Sequence, residues 1–225
     1  FIGIFQNADF GPDCDFTEPL TSDFFYTVNY QWLDNFHVDG FRYDNVSGIY
    51  KNPPAPGYCE LVYETYREAK KGTWPRFSGN GQMNLIQSAE FLENPVTILE
   101  KTYSNSAWFE PTHNAATDYA KNGGGHSLYL LGLNGFGAEN VPQNPMLYNN
   151  IDSIDKIPVQ YYCNHDQKRL ICFFDPKTKN DTDNDILKEG DREKYWFKVQ
   201  PYLIGLFTCR GIPLLWQGDE FCENY

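Results

Sequence analysis

Short apolar runs alternate along the chain with longer segments in which apolar residues recur at helical spacing. The short runs are rich in apolar residues, and parallel strands of this kind are usually buried on both faces of the sheet. Strand–helix alternation of this kind predicts parallel βα units, so the expected fold class is α/β. The predicted strands are residues 38–43, 84–89, 158–163 and 212–216.

Segments before and between these strands predict helices, because apolar residues recur in them at helical spacing. The expected helices are residues 22–36, 60–71, 127–133 and 191–209. Gly72 is expected to end the second of these helices, and Pro201 is expected to interrupt or kink the last. The charged segment 175–191 predicts a loop.

Each predicted strand ends in a group of polar or charged residues, and the first of these groups contains Arg42 and Asp44. Residues two apart on a strand point to the same face, so the guanidinium and the carboxylate should project together. A guanidinium beside a carboxylate favours its charged form, which a carboxylate nucleophile requires. Taken alone, the pair is equally typical of a structural ion pair.

Further carboxylates follow the later strands: Glu90 after the second, Asp166 after the third, and Asp219 with Glu220 after the fourth. Taken singly, Glu90 or Asp166 is typical of a surface or capping carboxylate. The C-terminal strand ends of parallel barrels, however, meet on one face, where active sites form. Cleavage of a glycosidic bond needs one carboxyl group to attack the anomeric carbon and another to protonate the leaving oxygen. The repeated pattern therefore favours glycosidic chemistry.

The sequence resembles glycoside hydrolase family 13, the α-amylase superfamily, in segments that follow the family order. The residues 39–44, Asp-Gly-Phe-Arg-Tyr-Asp, match the family region Gly-Phe-Arg-x-Asp. Residues 211–220 are similar to the segment around the eighth barrel strand, Gly-Ile-Pro followed by Gly-Asp-Glu. Ala89-Glu90 and Asn164-His165-Asp166 match the third and fourth family regions.

This resemblance implies a retaining glycoside hydrolase that acts on α-glucosidic bonds of α-glucans or maltooligosaccharides through a covalent glycosyl-enzyme. Two alternatives stay open: a transglycosylase, such as a 1,4-α-glucan branching enzyme or a glucanotransferase, and a catalytically inactive amylase-like binding subunit. The implied catalytic residues are Asp44 as nucleophile, Glu90 as general acid and base, and Asp166 as stabiliser of the transition state. The implied substrate-binding residues are Arg42, Asn164 and His165.

The resemblance also implies how much of a barrel the sequence covers. The family's first region, Asp-x-Val-x-Asn-His after the third strand, has no counterpart here. Residues 1–225 are therefore expected to form the C-terminal part of one (β/α)8 catalytic domain. The expected fold is a partial TIM barrel of roughly strands 4 to 8, without the N-terminal strands and without the C-terminal β-domain.

The resemblance implies an α-glucan or oligosaccharide as the partner, and composition argues against two other classes of partner. The net charge of −12 argues against nucleic acid and anionic membrane, since both select basic surfaces. No run approaches the roughly 18 apolar residues that a membrane-spanning helix needs. Cys163, Cys172 and Cys209 lie in apolar sequence, so reduced thiols and a cytosolic setting are favoured.

The sequence assigns no metal ligand. The cysteines are spaced far apart and form no CxxC pair, which argues against a zinc site. Asp181, Asp183 and Asp185 resemble part of a calcium loop, but Arg192 stands at the twelfth position, where a glutamate is expected. A solvated loop is the favoured interpretation, and a structural calcium ion is the open alternative.

Overall fold

The computed structural model describes residues 4–5, 13–50, 56–79, 82–123, 154–180 and 191–223. The chain divides into two compact units. The helix expected at residues 127–133 and the calcium-like aspartates 181, 183 and 185 lie outside the described residues. The first unit comprises Phe1–Ala107 and Asn140–Lys156, and the second comprises Trp108–Glu139 and Ile157–Tyr225.

The first unit combines parallel strands with helices and two short antiparallel hairpins. Its helices are α1 (Pro19–Asn35), α2 (Val46–Ile49), α3 (Tyr58–Glu68) and α4 (Pro95–Lys101). Its hairpin strands are β1 (Ile4–Phe5) with β2 (Asp13–Cys14), and β4 (Ser78–Gly79) with β5 (Gln82–Met83). Its parallel strands are β3 (Gly40–Tyr43), β6 (Ile86–Ala89) and β7 (Ser106–Trp108), whose last residue begins the second unit.

The helix predicted at residues 60–71 does not end at Gly72. Helix α3 passes at its C-cap, Ala69, into a π-helical turn over Ala69–Thr73, so Gly72 lies inside this turn. A 3₁₀ turn, Pro75–Phe77, leads on to β4. The buried aromatic residues Trp74 and Phe77 pack with Leu33 and Leu85 in one core cluster, which explains why the chain continues inward there.

Strand β6 is parallel to both β3 and β7. Gly40 pairs with Ile86, and a Cβ atom at position 40 would lie 2.1 Å from the Ile86 carbonyl oxygen. A glycine is therefore required where the two strands begin to pair. The pairing brings Tyr43, the last residue of β3, opposite Ala89, so both strands end at the same level.

The second unit pairs β8 (Ile157–Gln160) in parallel with β9 (Ile212–Pro213). Its helices are α5 (Glu110–Asn122) and α6 (Arg192–Thr208), and its 3₁₀ turns are Leu170–Phe173 and Asp219–Phe221. The carboxylate of Asp191 caps α6 by accepting a hydrogen bond from the Lys194 amide at 3.0 Å. Of the two effects expected at Pro201, the interruption is wrong, because α6 continues through this residue, and the kink stays a prediction.

The α/β fold class predicted from the sequence is confirmed. All four predicted strands are present and shorter than predicted, with β8 beginning one residue earlier, and β7 is a parallel strand that the sequence pattern missed. Among the described residues, no helix combines the length and apolar character needed to cross a membrane.

Candidate active site

The C-terminal end of β3 is fixed by its last residue, Tyr43. The Tyr43 hydroxyl donates a hydrogen bond to Gln87 Oε1 at 2.9 Å and accepts one from Asn29 Nδ2 at 3.0 Å. Burial raises the pKa of Tyr43 above its ordinary value, so the phenol stays a hydrogen-bond donor. Because successive side chains on a strand alternate between faces, anchoring Tyr43 sets the direction in which Arg42 and Asp44 project.

Arg42 contacts the carboxylates of both Asp44 and Glu90. Its Nη1 atom is paired with Asp44 Oδ1, and its Nη2 atom lies 2.9 Å from Glu90 Oε2. The Glu90 side chain is 12% exposed, whereas that of Asp44 is 76% exposed. One guanidinium thus brings together an enclosed carboxylate and an open one at the ends of two neighbouring parallel strands.

The turn after β3 wraps around Glu90. The Asn45 amide donates to Glu90 Oε2 at 2.8 Å, and the Val46 amide donates to the Glu90 carbonyl oxygen at 2.9 Å. The Glu90 amide in turn donates to the Tyr43 carbonyl oxygen at 3.0 Å. Asn45 adopts φ 40° and ψ 56°, a left-handed conformation that asparagine tolerates better than most residues. Glu90 is therefore held by backbone groups as well as by Arg42.

In the second unit, Asn164, His165 and Asp166 form a tight turn after β8. The Asp166 amide donates to Asn164 Oδ1 at 2.9 Å, and the Gln167 amide donates to the Asn164 carbonyl oxygen at 3.2 Å. Asn164 is only 3% exposed, so it builds the turn that presents its two neighbours. His165 Nε2 lies 3.3 Å from Asp166 Oδ2.

Two tryptophans lie against His165. The imidazole stacks on Trp216 with ring centroids 5.7 Å apart and planes 12° apart. Its plane is nearly perpendicular to the Trp108 ring, with centroids 6.1 Å apart. The Arg169 guanidinium lies 5.2 Å from the Trp216 ring centroid, and its Nη1 atom lies 3.0 Å from Asp219 Oδ1. Burial raises the pKa of Asp219, although hydrogen bonds from Cys163 and Arg169 act in the opposite direction.

Glu110 is a site residue that the sequence pattern did not single out. It opens α5 directly after β7, where it accepts hydrogen bonds from the Tyr161 hydroxyl at 2.5 Å and from Gln167 Nε2 at 2.9 Å. Gln167 follows Asp166, so Glu110 supports the far side of the same turn. The sequence pattern missed Glu110 because it missed β7. Only when β7 is recognised as a strand does Glu110 follow a strand end.

The structure gathers the residues predicted from the sequence into one group per unit. Within the described ranges, no group of three or more His, Cys, Asp or Glu residues could hold a metal ion. The first unit brings Arg42, Asp44 and Glu90 together, and the second unit brings Asn164, His165 and Asp166 together.

The solved structures to which this chain is similar include α-amylases and a pullulanase. No protein-family model and no curated protein matches the sequence. A pullulanase from Paenibacillus barengoltzii is 17% identical, with a TM-score of 0.65 over 98% of this chain and 34% of its own. An Anoxybacillus α-amylase is 16% identical, with a TM-score of 0.61 over 96% of this chain and 39% of its own.

A maltogenic α-amylase from Thermotoga neapolitana is 13% identical, with a TM-score of 0.59 over 99% of this chain and 42% of its own. The chain therefore spans less than half the length of each of these structures. At such low identity the likeness is one of fold. The chain has the α/β fold of a partial (β/α)8 barrel, of the kind found in α-amylase-type glycoside hydrolases.

Proposed function

We propose that this chain carries the catalytic residues of a retaining glycoside hydrolase of the α-amylase superfamily, acting on α-glucosidic bonds. The observation that carries the proposal is the guanidinium of Arg42, which contacts both Asp44 and Glu90. Retaining enzymes hold their two carboxyl groups about 5–5.5 Å apart, whereas inverting enzymes leave about 6.5–9.5 Å for a water molecule. Two carboxylates that share one guanidinium fit the shorter separation.

In the first step, a carboxylate oxygen of Asp44 attacks the anomeric carbon, and the bond from that carbon to the glycosidic oxygen breaks. The proton of Glu90 passes to the leaving oxygen, so the departing glucan leaves as a neutral alcohol. In the second step, Glu90 takes a proton from water while the water oxygen attacks the anomeric carbon and releases Asp44. Two inversions give net retention of the α configuration.

The exposure of the two carboxylates supports this division of roles. Asp44 is open to an approaching sugar, as a nucleophile must be, and Arg42 compensates its charge. Glu90 is enclosed and anchored through the Asn45 amide, as suits a group that must return to the same place for the second step. The pair therefore resembles a working site more than a surface ion pair.

Asp166, His165 and Asn164 complete the proposal, each within the second unit. By the family resemblance, Asp166 stabilises the oxocarbenium-like transition state through sugar hydroxyls, and His165 hydrogen-bonds the same sugar. Asn164 contributes by shaping the turn that carries both residues. Their contributions to catalysis are part of the proposal and follow from matching sequence motifs.

The proposed substrate class is an α-glucan or maltooligosaccharide. One structural relative was solved with maltohexaose and α-cyclodextrin, and others were solved with maltose or with a cyclic maltosyl-maltose. These ligands are all built from α-linked glucose. The acidic surface of this chain agrees with a neutral ligand better than with an anionic one.

The test is hydrolysis of maltooligosaccharides by the full-length protein, followed by ¹H NMR of the first product formed. We expect the α-anomer of the new reducing end to appear before mutarotation. Asp44→Asn should lower kcat by about 10⁴-fold or more, and Glu90→Gln by about 10²–10⁴-fold. Asp23→Asn, the same change at an exposed carboxylate of α1, is the control and should retain activity. A β-anomer product, or an active Asp44→Asn variant, would refute the proposal.

The same experiment separates hydrolysis from transfer. If water is the acceptor in the second step, free reducing ends accumulate in step with bond cleavage. Longer or branched products without new reducing ends would identify a transglycosylase instead. Absence of both products in a folded protein would favour the inactive binding subunit.

A further inference from the structure

We propose that Arg169 and Asp219 are positioning residues that act through Trp216 to fix the imidazole plane of His165. The proposal rests on the proposed function only for its effect on catalysis. Its structural part concerns the second unit alone, where all four residues lie. None of the three supporting residues needs to touch a substrate to exert this effect.

A tight turn joins Trp216 to Asp219. The Asp219 amide donates to the Trp216 carbonyl oxygen at 3.0 Å, and Gly218 between them has φ 100°. A Cβ atom at position 218 would lie 2.8 Å from Glu223 Cβ and 3.3 Å from Arg169 Nη2. The turn is therefore restricted to glycine at this position, and the relative placement of Trp216 and Asp219 is set by the backbone.

The Arg169 side chain contacts the residues at both ends of this turn. Its Nη1 atom lies 3.0 Å from Asp219 Oδ1, and its Cζ atom lies 5.2 Å from the Trp216 ring centroid. The side chains of Arg169 and Asp219 are only 10% and 12% exposed. An enclosed ion pair has a defined geometry, and a guanidinium over an indole adds an attractive contact. Arg169 therefore holds the indole plane.

Asp219 is also held by a second residue, Cys163. The Cys163 thiol donates to Asp219 Oδ2 at 2.9 Å, so both carboxylate oxygens are engaged. Cys163 immediately precedes Asn164, which begins the turn that carries His165. The Asp219 cluster, consisting of Cys163, Arg169 and Asp219, thus connects the backbone before His165 with the aromatic ring that lies against it.

The indole of Trp216 in turn contacts the imidazole of His165. The two ring planes differ by 12°, and the centroids are 5.7 Å apart, so the orientation of Trp216 limits rotation of the imidazole. With the ring in this plane, His165 Nε2 lies 3.3 Å from Asp166 Oδ2. An error in the plane would move both ring nitrogens, and with them the hydrogen bond that His165 is proposed to make to the sugar.

The experiment is NMR of the full-length protein labelled with [¹³Cε1]histidine, with the His165 signal assigned by its loss in His165→Gln. Because the imidazole stacks on an indole, its ring protons should be shifted upfield by the ring current. We expect Trp216→Leu to abolish this shift and Arg169→Met to reduce it. Matched controls are Trp32→Leu and Arg67→Met, since Trp32 is an exposed tryptophan of α1 and Arg67 is an exposed arginine over the Tyr63 ring. The controls should leave the signal in place.

Kinetics provide the second measurement. Arg169→Met should lower kcat by roughly 10–100-fold, the loss seen when supporting contacts are removed at metal sites. KM should change less, because an oriented hydrogen bond counts most in the transition state. Arg169→Lys should not restore kcat, since an ammonium cannot stack on the face of the indole as a planar guanidinium does.

Two safeguards keep the test decisive. If Arg169→Met does not fold, because Asp219 loses its cation, the double variant Arg169→Met/Asp219→Asn removes both charges and is measured instead. If the wild-type protein cleaves no glucan, the proposed function fails. The His165 signal still tests whether Arg169 and Asp219 orient the imidazole through Trp216. An unchanged His165 signal in the double variant would overturn the inference, as would a moved signal with an unchanged kcat.

Discussion

Arg42 Nη2 lies 2.9 Å from Glu90 Oε2, and the same guanidinium is paired with Asp44. The relationship joins the end of β3 to the end of β6, which run parallel with Tyr43 opposite Ala89. Arg42 supplies a positive charge that contacts both carboxyl groups. Arg42 is therefore the residue on which the assembly of the proposed site depends.

Arg42→Met should lower kcat/KM by roughly 10²–10³-fold, a loss comparable to that from removing a preorganised charge-stabilising group. The physical reason is that the nucleophile loses its counter-charge and the two carboxylates are no longer held together. Steady-state kinetics on a maltooligosaccharide measure the effect. Arg67→Met, at an exposed arginine of α3, is the matched control and should stay within a few-fold of wild type. Wild-type activity in Arg42→Met would mean that the ion pairs are only structural.

Gly40→Ala should destabilise the first unit by about 1–3 kcal/mol, the usual cost of overpacking. The new Cβ atom would lie 2.1 Å from the Ile86 carbonyl oxygen, so β3 and β6 would have to separate. Urea-induced unfolding measures the change in the free energy of unfolding. Gly205→Ala is the comparison, since its Cβ would meet only the Tyr162 hydroxyl, at 3.1 Å, and alanine favours the helix. Equal effects of the two substitutions would contradict this explanation.

Lys156 should make stability depend on pH. Its ammonium donates to the carbonyl oxygens of Leu99, Thr102 and Ser104 at 2.6, 2.7 and 3.0 Å, yet burial lowers the pKa of Lys156 from about 10.5 to about 7. Because the folded-state pKa lies below the unfolded-state value, the unfolded chain binds more protons between these limits. The contribution of Lys156 to the free energy of unfolding should therefore rise as pH increases from about 7 to about 10.5. It should be lost again as pH falls to about 7.

The measurement for Lys156 is urea unfolding of wild type and Lys156→Met at intervals from pH 6.5 to pH 10. The free energy of unfolding of the wild type, taken relative to the variant, should increase over this range. A difference that stays flat would mean that the three carbonyl groups hold the ammonium charged in the folded protein.

The sequence predicted most of the proposed site, because charged residues followed recognisable apolar strands. Arg42, Asp44 and Glu90 lie together as the strand-end argument required. Strand β7, Ser106–Trp108, was missed because it is only three residues long and begins with a polar serine, although all three residues are buried. Glu110 was missed with it, since a glutamate at the start of a helix is recognised as following a strand only when that strand is known.

The support of His165 could not have been predicted from the sequence pattern. Trp216 and Asp219 were visible in the motif after the fourth strand, but their contacts with Arg169 depend on a turn enforced by Gly218. Similarly, Gly72 looked like a helix end because glycine commonly ends helices. The π-helical turn at Ala69–Thr73 instead carries the chain on to the buried Trp74.

The central claim is that Asp44 forms a covalent bond with the sugar, and trapping that intermediate tests it most directly. The full-length protein would be incubated with a 5-fluoro-α-glucosyl fluoride, digested with pepsin and analysed by mass spectrometry. We expect one peptide to gain a fluoroglucosyl mass, with fragmentation assigning it to Asp44, and Glu90→Gln to be labelled at the same residue. An adduct on a different carboxylate, or normal turnover of substrate with inversion and no adduct, would contradict the account.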